Sequence, residues 1–315
     1  MKIGDREIGP GNPVLIVAEL SGSHLGSLKN AHRLIDYAAG AGASAIKLQM
    51  YEPSDFTAPD APPLPDGPWK GIRPWDLYTK SQTPRDWHAA LFDHARNRGM
   101  LAFSTPFSPD AVEFLETLDC PAYKVASLES DYIPLLRNIE ATGKPMLVST
   151  GATDDSGSMM CAIQDNRSYR PRHPVVLMHC VAAYPTPIDR ANLMRFQQLG
   201  IHAVTTPMLC STGYTPQEED FWPLGGLSDH SCGTLVPVLA VALGARVIEK
   251  HIKLYEDHDD PDAGFAETPA RFAEMVKQVR LAEEALAARD NTELEAPMRA
   301  LRRREIDGRW LRVAP

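Results

Sequence analysis

A short apolar run, a loop and an amphipathic stretch form a unit that recurs along nearly the whole chain. The runs are VLIVAE (14–19), SAIKLQ (44–49), LAFST (101–105), AYKVAS (122–127), PMLVST (145–150), VVLMHC (175–180), GGLSDH (225–230) and RVIEKH (246–251). Continuous rather than alternating apolarity suits strands buried on both faces, as in parallel sheets. Helical patterns separate them, among them LKNAHRLIDYAAGAG (28–42), PRDWHAALFDHARNRG (84–99), PDAVEFLETL (109–118), LVPVLAVALGA (235–245) and 269–288. Several close with Gly, which takes the positive φ needed just past a helix. Eight such strands alternating with helices predict an α/β fold, a (β/α)8 TIM barrel over residues 1–290. Residues 291–315, with the basic run LRRRE, read as a short polar C-terminal tail. An open doubly wound sheet is the rival, but no GxGxxG follows the first run.

Two connections exceed an ordinary βα loop. One runs from Tyr51 to about Thr83, rich in Pro and Asp, with Trp69 and Trp75; the other spans Gly200 to Pro223. The first leaves strand two on the side where such barrels place their chemistry, so it reads as a partial lid. A net charge of -9 argues against nucleic acid, whose phosphates call for a basic surface. No apolar stretch approaches the ~20 residues of a membrane span, and the N-terminus lacks a signal-peptide core, so no membrane is expected. Five cysteines without paired spacing suit a reducing, cytoplasmic setting.

The apolar runs end in ionisable and hydroxyl side chains. In order these are Glu19; Lys47 and Gln49; Ser104 and Thr105; Lys124, Ser127 and Glu129; Ser149 and Thr150; His179; Ser228, Asp229 and His230; Glu249, Lys250 and His251. Strand ends of a closed barrel share one rim, where barrel enzymes hold their sites. His230 and His251 end neighbouring strands with Glu19 close by, a donor set for a divalent transition ion such as Mn²⁺, Fe²⁺ or Zn²⁺. His179 is open between ligation and a supporting hydrogen bond. Lys47 and Lys124, with Thr105, Ser127 and Ser149, suit a phosphate or carboxylate, the lysines as point charges and the hydroxyls as donors. Glu129 and Asp262 suit the hydroxyls of a polyol. Tyr184 either covers one end of the pocket or packs beside Pro185 and Pro187. A class I aldolase would also need a buried lysine, but not two histidines and a carboxylate across the rim.

The segments AELSGSHLGSL, AIKLQMYEP, FSTPFSPDAVEFLETLDCPAYKVASLES, NIEATGKPMLVSTGA, MHCVAAYPTP, GLSDHS and ALGARVIEKHIKL resemble the N-acetylneuraminate (sialic acid) synthase family over about residues 1 to 285. The resemblance implies a (β/α)8 barrel that condenses phosphoenolpyruvate with an amino-sugar aldehyde to a 3-deoxy-2-keto sugar acid, releasing phosphate. It implies metal ligation by His230 and His251, with Mn²⁺ foremost and Mg²⁺, Co²⁺, Fe²⁺ or Zn²⁺ as alternatives. Phosphoenolpyruvate contacts fall on Lys47, Thr105, Lys124, Ser127, Ser149 and Ser228. Acceptor contacts fall on Gln49, Glu129, Tyr184 and Asp262, and Glu19 is the carboxylate near metal and water, the candidate for proton transfer. A homodimer is implied as well.

Four departures mark the limits of the resemblance, the third at a phosphoenolpyruvate contact. Ser23-His24 stands where the family has Asn-His, Leu128 replaces a Gly between Ser127 and Glu129, and Ala182 replaces an Asn. The family adds a C-terminal antifreeze-like domain, for which a chain reaching Pro315 leaves no room, so an acceptor other than N-acetylmannosamine is expected. The alternatives are a sugar phosphate or other aldehyde as acceptor, and a non-catalytic sugar-binding or regulatory barrel.

Overall fold

The computed structural model describes residues 1–152, 174–195, 225–257, 260–287, 303–306 and 309–312. Eight parallel strands close into a barrel: β1 (Leu15–Glu19), β2 (Ala45–Met50), β3 (Leu101–Pro106), β4 (Tyr123–Val125), β5 (Met146–Ser149), β6 (Val175–Cys180), β7 (Gly225–Asp229) and β8 (Val247–His251). Each matches a predicted run within two residues at either end. β8 returns to β1, with His251 opposite Glu19, and Glu19 is in turn opposite Lys47 of β2. That register brings the first, second and eighth strand ends together although they lie some 200 residues apart in sequence.

Among the described residues, six helices named from the sequence or found between strands flank the barrel: α1 (Leu28–Gly40), α3 (His88–Asn97), α4 (Pro109–Glu116), α5 (Ile133–Ala141), α6 (Leu235–Ala242) and α7 (Pro269–Leu286). Local chemistry starts α1 and α4, where Ser27 and Ser108 accept hydrogen bonds from the amides of Asn30 and Ala111. Pro109 then sits at the first turn, where its missing N–H costs nothing. All of β1 and β5 to their last residues is buried, and Ile16, Ile46, Phe103, Leu147 and Ile248 are fully enclosed. Cutting any of these back to Ala should cost about 2–5 kcal/mol. Gly226 is required by packing, since a Cβ there would lie 2.2 Å from the Met178 sulfur.

The 51–83 connection, which shows no clear periodicity, contains a further helix, α2 (Pro74–Ser81). Pro74 begins it, and its single fully covered residue, Leu77, explains why no apolar stripe announces it. Residues 200–223 lie outside the described residues. The chain divides into two compact units, residues 1–283 and 284–315. Within the second part, Arg303–Ile306 and Arg309–Arg312 pair antiparallel, where the sequence reading saw only a tail. Ile306 pairs with Arg309, and the two residues between them in sequence are Asp-Gly, the dipeptide that favours a tight hairpin.

Candidate active site

Alternation along the strands divides the polar strand ends into two sets. Ser228 and Glu249 are register partners and face one another inside the barrel, where Ser228 Oγ donates to Glu249 at 3.2 Å. The next pair, Asp229 and Lys250, meets on the opposite side of the strands, and the following residues, His230 and His251, return to the interior. Ser104 and His179 also turn away: Ser104 donates to the Leu48 carbonyl, and His179 Nε2 meets the Ala191 carbonyl at 2.8 Å. His179 is therefore held by backbone and does not face the cavity.

The inward set lines a cavity of about 390 Å³. Lys47, Thr105, Lys124, Ser127, Ser149, Ser228, Gln49, Glu129, Tyr184, Asp262, His230 and His251 all border it. These are the sequence-derived site residues with one exception. Glu19 is fully buried and lies behind Lys47, with which it forms an ion pair. The carboxylate that does line the cavity is Glu249, a strand-end residue to which the sequence reading gave no role.

Four buried charges form the inner end. Lys47 pairs with Glu19, sits 3.6 Å from Glu249 and donates to Thr105 at 2.9 Å. Lys124 donates to Ser149 at 2.7 Å and to its neighbour's carbonyl, Val125, at 3.2 Å. Burial alone would raise Glu249, but Lys124 and Lys47 outweigh it and hold this carboxyl below its usual range. Burial raises Glu19, with Lys47 opposing and Glu249 adding to the rise. Burial also lowers Lys124, while for Lys47 the two carboxylates overcome burial and raise it. One Glu249 oxygen, Oε2, has no hydrogen-bond partner among the described residues. Beside this group Gly151 donates its amide to Ser127 Oγ at 3.2 Å, and a Cβ at 151 would crowd both Ser127 and the Cys180 carbonyl at 3.0 Å.

Ser21 ties Glu19 in place, accepting strain to do so. It has φ of 41°, and both its amide and hydroxyl donate to Glu19 at 2.9 Å. Gln49 Nε2 donates to the same hydroxyl at 2.8 Å. The Ser-Gly-Ser after β1 reads in sequence as a plain turn, so nothing there announced this contact.

The two histidines stand side by side, ring centroids 5.4 Å apart, and Phe265 packs on both at 5.4 and 4.8 Å. Burial in this dry setting lowers the His230 pKa to about 4 and drives His251 well below its normal value, helped by His230 and the nearby lysines. Both are neutral at pH 7. His230 Nδ1 faces the Val181 carbonyl at 3.4 Å, and His251 Nδ1 faces the Asp262 carboxyl at 3.7 Å. Acceptors at Nδ1 favour the proton there and leave the lone pair on Nε2, the arrangement of a metal-binding imidazole. Among the described residues no three His, Cys, Asp or Glu side chains gather as a metal cage. The two side-by-side neutral imidazoles of His230 and His251 are the donors on this wall that could hold a divalent ion.

The outer end is different in character. Phe56, Trp69, Tyr78, Phe107, Tyr184 and Leu128 border it, Leu128 being 76% exposed. The first three come from the 51–83 connection, which therefore walls the cavity as the lid reading expected. Trp69 donates its indole N–H to the Pro261 carbonyl at 3.2 Å and packs 5.9 Å from Tyr184. Tyr184 in turn lies 4.5 Å from His230, so it covers the histidines as well as packing among prolines. Burial, with Asp260 next, raises Asp262 to about 7, and burial raises Glu129.

The sequence pattern of the NeuB family matches residues 34–291. The chain belongs to the NeuB family. Pseudaminic acid synthase of Campylobacter jejuni is 39% identical over 278 residues, covering 87% of this chain and 75% of the relative. Pseudaminic acid synthase of Helicobacter pylori is 36% identical over 274 residues, 85% of this chain and 74% of that protein. Among solved structures, N-acetylneuraminic acid synthetase of Leptospira borgpetersenii, in complex with citrate, superposes with a TM-score of 0.77 at 27% identity over 95% of both chains. This NeuB-family chain is accordingly a phosphoenolpyruvate-utilising, carbon–carbon bond-forming enzyme on a (β/α)8 barrel.

Proposed function

We propose that this enzyme condenses phosphoenolpyruvate with an uncharged amino-sugar aldehyde bearing apolar substituents, giving a 3-deoxy-2-keto sugar acid and phosphate. One observation carries the choice of acceptor. The cations bordering the cavity are Lys47 and Lys124, both at its buried end, while the half-exposed outer end carries aromatic rings, Leu128 and the acids Glu129 and Asp262. A phosphorylated sugar would bring its dianion against carboxylates and apolar rings, with no cation among the described outer residues to receive it. N-acyl and deoxy-sugar methyl groups suit that wall, and pseudaminic acid synthases are among the chain's relatives.

In this reading Lys124, Lys47, Ser127, Ser149, Thr105 and Ser228 hold the phosphate and carboxylate of phosphoenolpyruvate. His230 and His251 hold a divalent ion, Mn²⁺ foremost, which when bound supplies Lewis acidity at the aldehyde oxygen. Gln49, Glu129, Tyr184 and Asp262 orient the sugar so that its aldehyde carbon meets C3 of phosphoenolpyruvate. As the C3–C1 bond forms, the aldehyde C=O π electrons move to its oxygen, which becomes the new hydroxyl by taking the proton that water later releases, and positive charge develops at C2. Glu249, kept ionised by the two lysines and bearing an unpartnered oxygen, is suited to stabilise that charge. Water adds at C2 and gives up a proton, and the tetrahedral intermediate expels phosphate by C–O cleavage to leave the C2 ketone. The resemblance assigned the proton to Glu19; its position behind Lys47 favours Glu249 for this task and makes Glu19 the lysine's counter-charge.

The same reading makes the enzyme a cytoplasmic homodimer. Cys120, Cys180 and Cys232 are free thiols, and no described helix is long and apolar enough to cross a membrane. The outward stripe of α6 carries exposed Leu235 and Leu239 without a charge, which suits self-association. The deciding experiment measures phosphate release from phosphoenolpyruvate across a panel of aldoses, with and without Mn²⁺. Turnover is expected with acylated, deoxygenated amino hexoses; release confined to sugar phosphates would sink the acceptor assignment.

A further inference from the structure

Behind the two histidines, on the outer side of the same strands, lies a charged group that the proposed chemistry does not use. Lys250 is completely buried; its ammonium donates to Asp229 at 2.6 Å and to the Ser231 carbonyl, and sits 3.9 Å from Glu267. The other Asp229 oxygen accepts the Ser231 amide at 2.9 Å. Glu267 accepts the Gly233 amide at 2.6 Å through its side chain, and its own amide donates to the His251 carbonyl at 2.9 Å. The His230 carbonyl is taken by the Thr186 amide at 2.9 Å. Each histidine is thus bracketed: one flanking residue is an ion-pair partner, while on the other side Ser231 is held by the Asp229 and Lys250 side chains and the His251 carbonyl by the Glu267 main chain.

We propose that the Asp229–Lys250–Glu267 group is a positioning clamp that sets the spacing of His230 and His251 for a divalent ion. Register supplies the geometry. Asp229 and Lys250 are direct partners across β7 and β8, so their ion pair fixes how far apart the next residues emerge into the cavity. β8 ends in regular pairing at His251, but β7 ends at Asp229, leaving His230 in loop. A loop residue needs other ties, and Ser231, held through both its N–H and its C=O by the clamp, is the next residue along. An ordinary stabilising pair could have been replaced by apolar side chains at little cost, whereas an apolar pair cannot hold the Ser231 peptide. The ionic group is retained for what it orients, as outer partners of metal ligands generally are.

This inference rests on the reading of His230 and His251 as metal ligands, and the experiment separates the two. Lys250→Met and the double variant Asp229→Leu with Lys250→Met are compared with the wild type by Mn²⁺ titration calorimetry without substrates, by thermal melting and by steady-state kinetics. The double variant leaves no buried charge of that pair but strips the buried Ser231 N–H and C=O of their partners, so it should melt several degrees lower and still fold. Its Kd for Mn²⁺ should rise tenfold or more, and kcat should fall while KM for phosphoenolpyruvate changes less than about threefold. A folded double variant with wild-type Mn²⁺ affinity and kcat overturns the clamp. If the wild type binds no Mn²⁺ and turns over in chelator, the metal reading fails. The clamp, defined by that ion, then falls with it, whereas a wild type that binds Mn²⁺ beside a double variant that does not supports both.

Discussion

Replacing Lys47 by Met should do something that replacing Lys124 does not. Lys47 stands between two buried carboxylates, paired with Glu19 and 3.6 Å from Glu249. At an effective dielectric constant of about 20, the Glu249 interaction alone amounts to roughly 4.6 kcal/mol before desolvation is counted. Without Lys47, Glu19 and Glu249 face each other with no cation for Glu19, a broken buried pair of the kind that costs about 3–5 kcal/mol. Lys124→Met leaves Lys47 to neutralise both acids, and its loss should cost less than half as much. With an unfolding entropy of about 2.1 cal/mol/K per residue, a chain of this length loses roughly 1.5 °C per kcal/mol, so Lys47→Met should melt about 5–8 °C lower at pH 7. The sign of the pH dependence follows. In Lys47→Met the acids escape repulsion by binding a proton, so their folded pKa lies above the unfolded value. Their contribution is then intact below the unfolded pKa and lost as pH rises through the folded one, so the deficit should shrink toward pH 5. Adding Glu19→Gln should restore most of the lost Tm. The assay is a set of thermal melts from pH 5 to 8. Equal losses for the two lysine variants, or a Lys47→Met deficit that does not change with pH, would refute the charge network.

Further expectations concern the metal, the acid limit of stability and the acceptor. His251→Ala should lose bound Mn²⁺ and nearly all turnover while keeping the fold; full activity of that variant in chelator would sink the ligand assignment. Below about pH 6.5 the unfolded chain protonates His230 and His251 while the folded chain does not, and Asp262, protonated up to about 7 in the fold, offsets one of the two protons. These three groups together should lower stability by about 1.4 kcal/mol per pH unit from pH 6 to 4.5, and His230→Gln should flatten that slope in thermal melts. Shortening residues 60–74, which include Trp69, should raise the acceptor KM more than the phosphoenolpyruvate KM; the reverse order would remove this segment from the acceptor site. Lys124→Ala should raise the phosphoenolpyruvate KM steeply, and borohydride should trap no adduct at Lys124 in the wild type.

The barrel was legible because every strand is buried on both faces, so continuous apolar runs such as VVLMHC and RVIEKH stand out without any alignment in space. Their rim was legible for the same reason: a fully buried strand has no cause to end in Glu249-Lys250-His251 unless those groups meet something. What the runs could not supply was the side of the wall each residue faces. Counting in twos from Ser228 would have separated Ser228 and His230 from Asp229, and Glu249 and His251 from Lys250. That count puts Glu19 and Glu249 on the same inner side, so only the packing, which tucks Glu19 behind Lys47 and leaves Glu249 on the cavity, tells them apart. The lid was harder. α2 buries only Leu77, and Phe56, Trp69 and Tyr78 meet the cavity through long-range packing that leaves no periodic trace. Helix and strand patterns record burial against a regular neighbour, and an acceptor site walled by an irregular connection has none. For that reason the lysines and hydroxyls lining the buried, charged end of the cavity could be named from the sequence, while Glu249 could not. At the outer end, proposed above to select the sugar, Glu129, Tyr184 and Asp262 came from the sequence, whereas Phe56, Tyr78 and Phe107 joined their wall only in the fold.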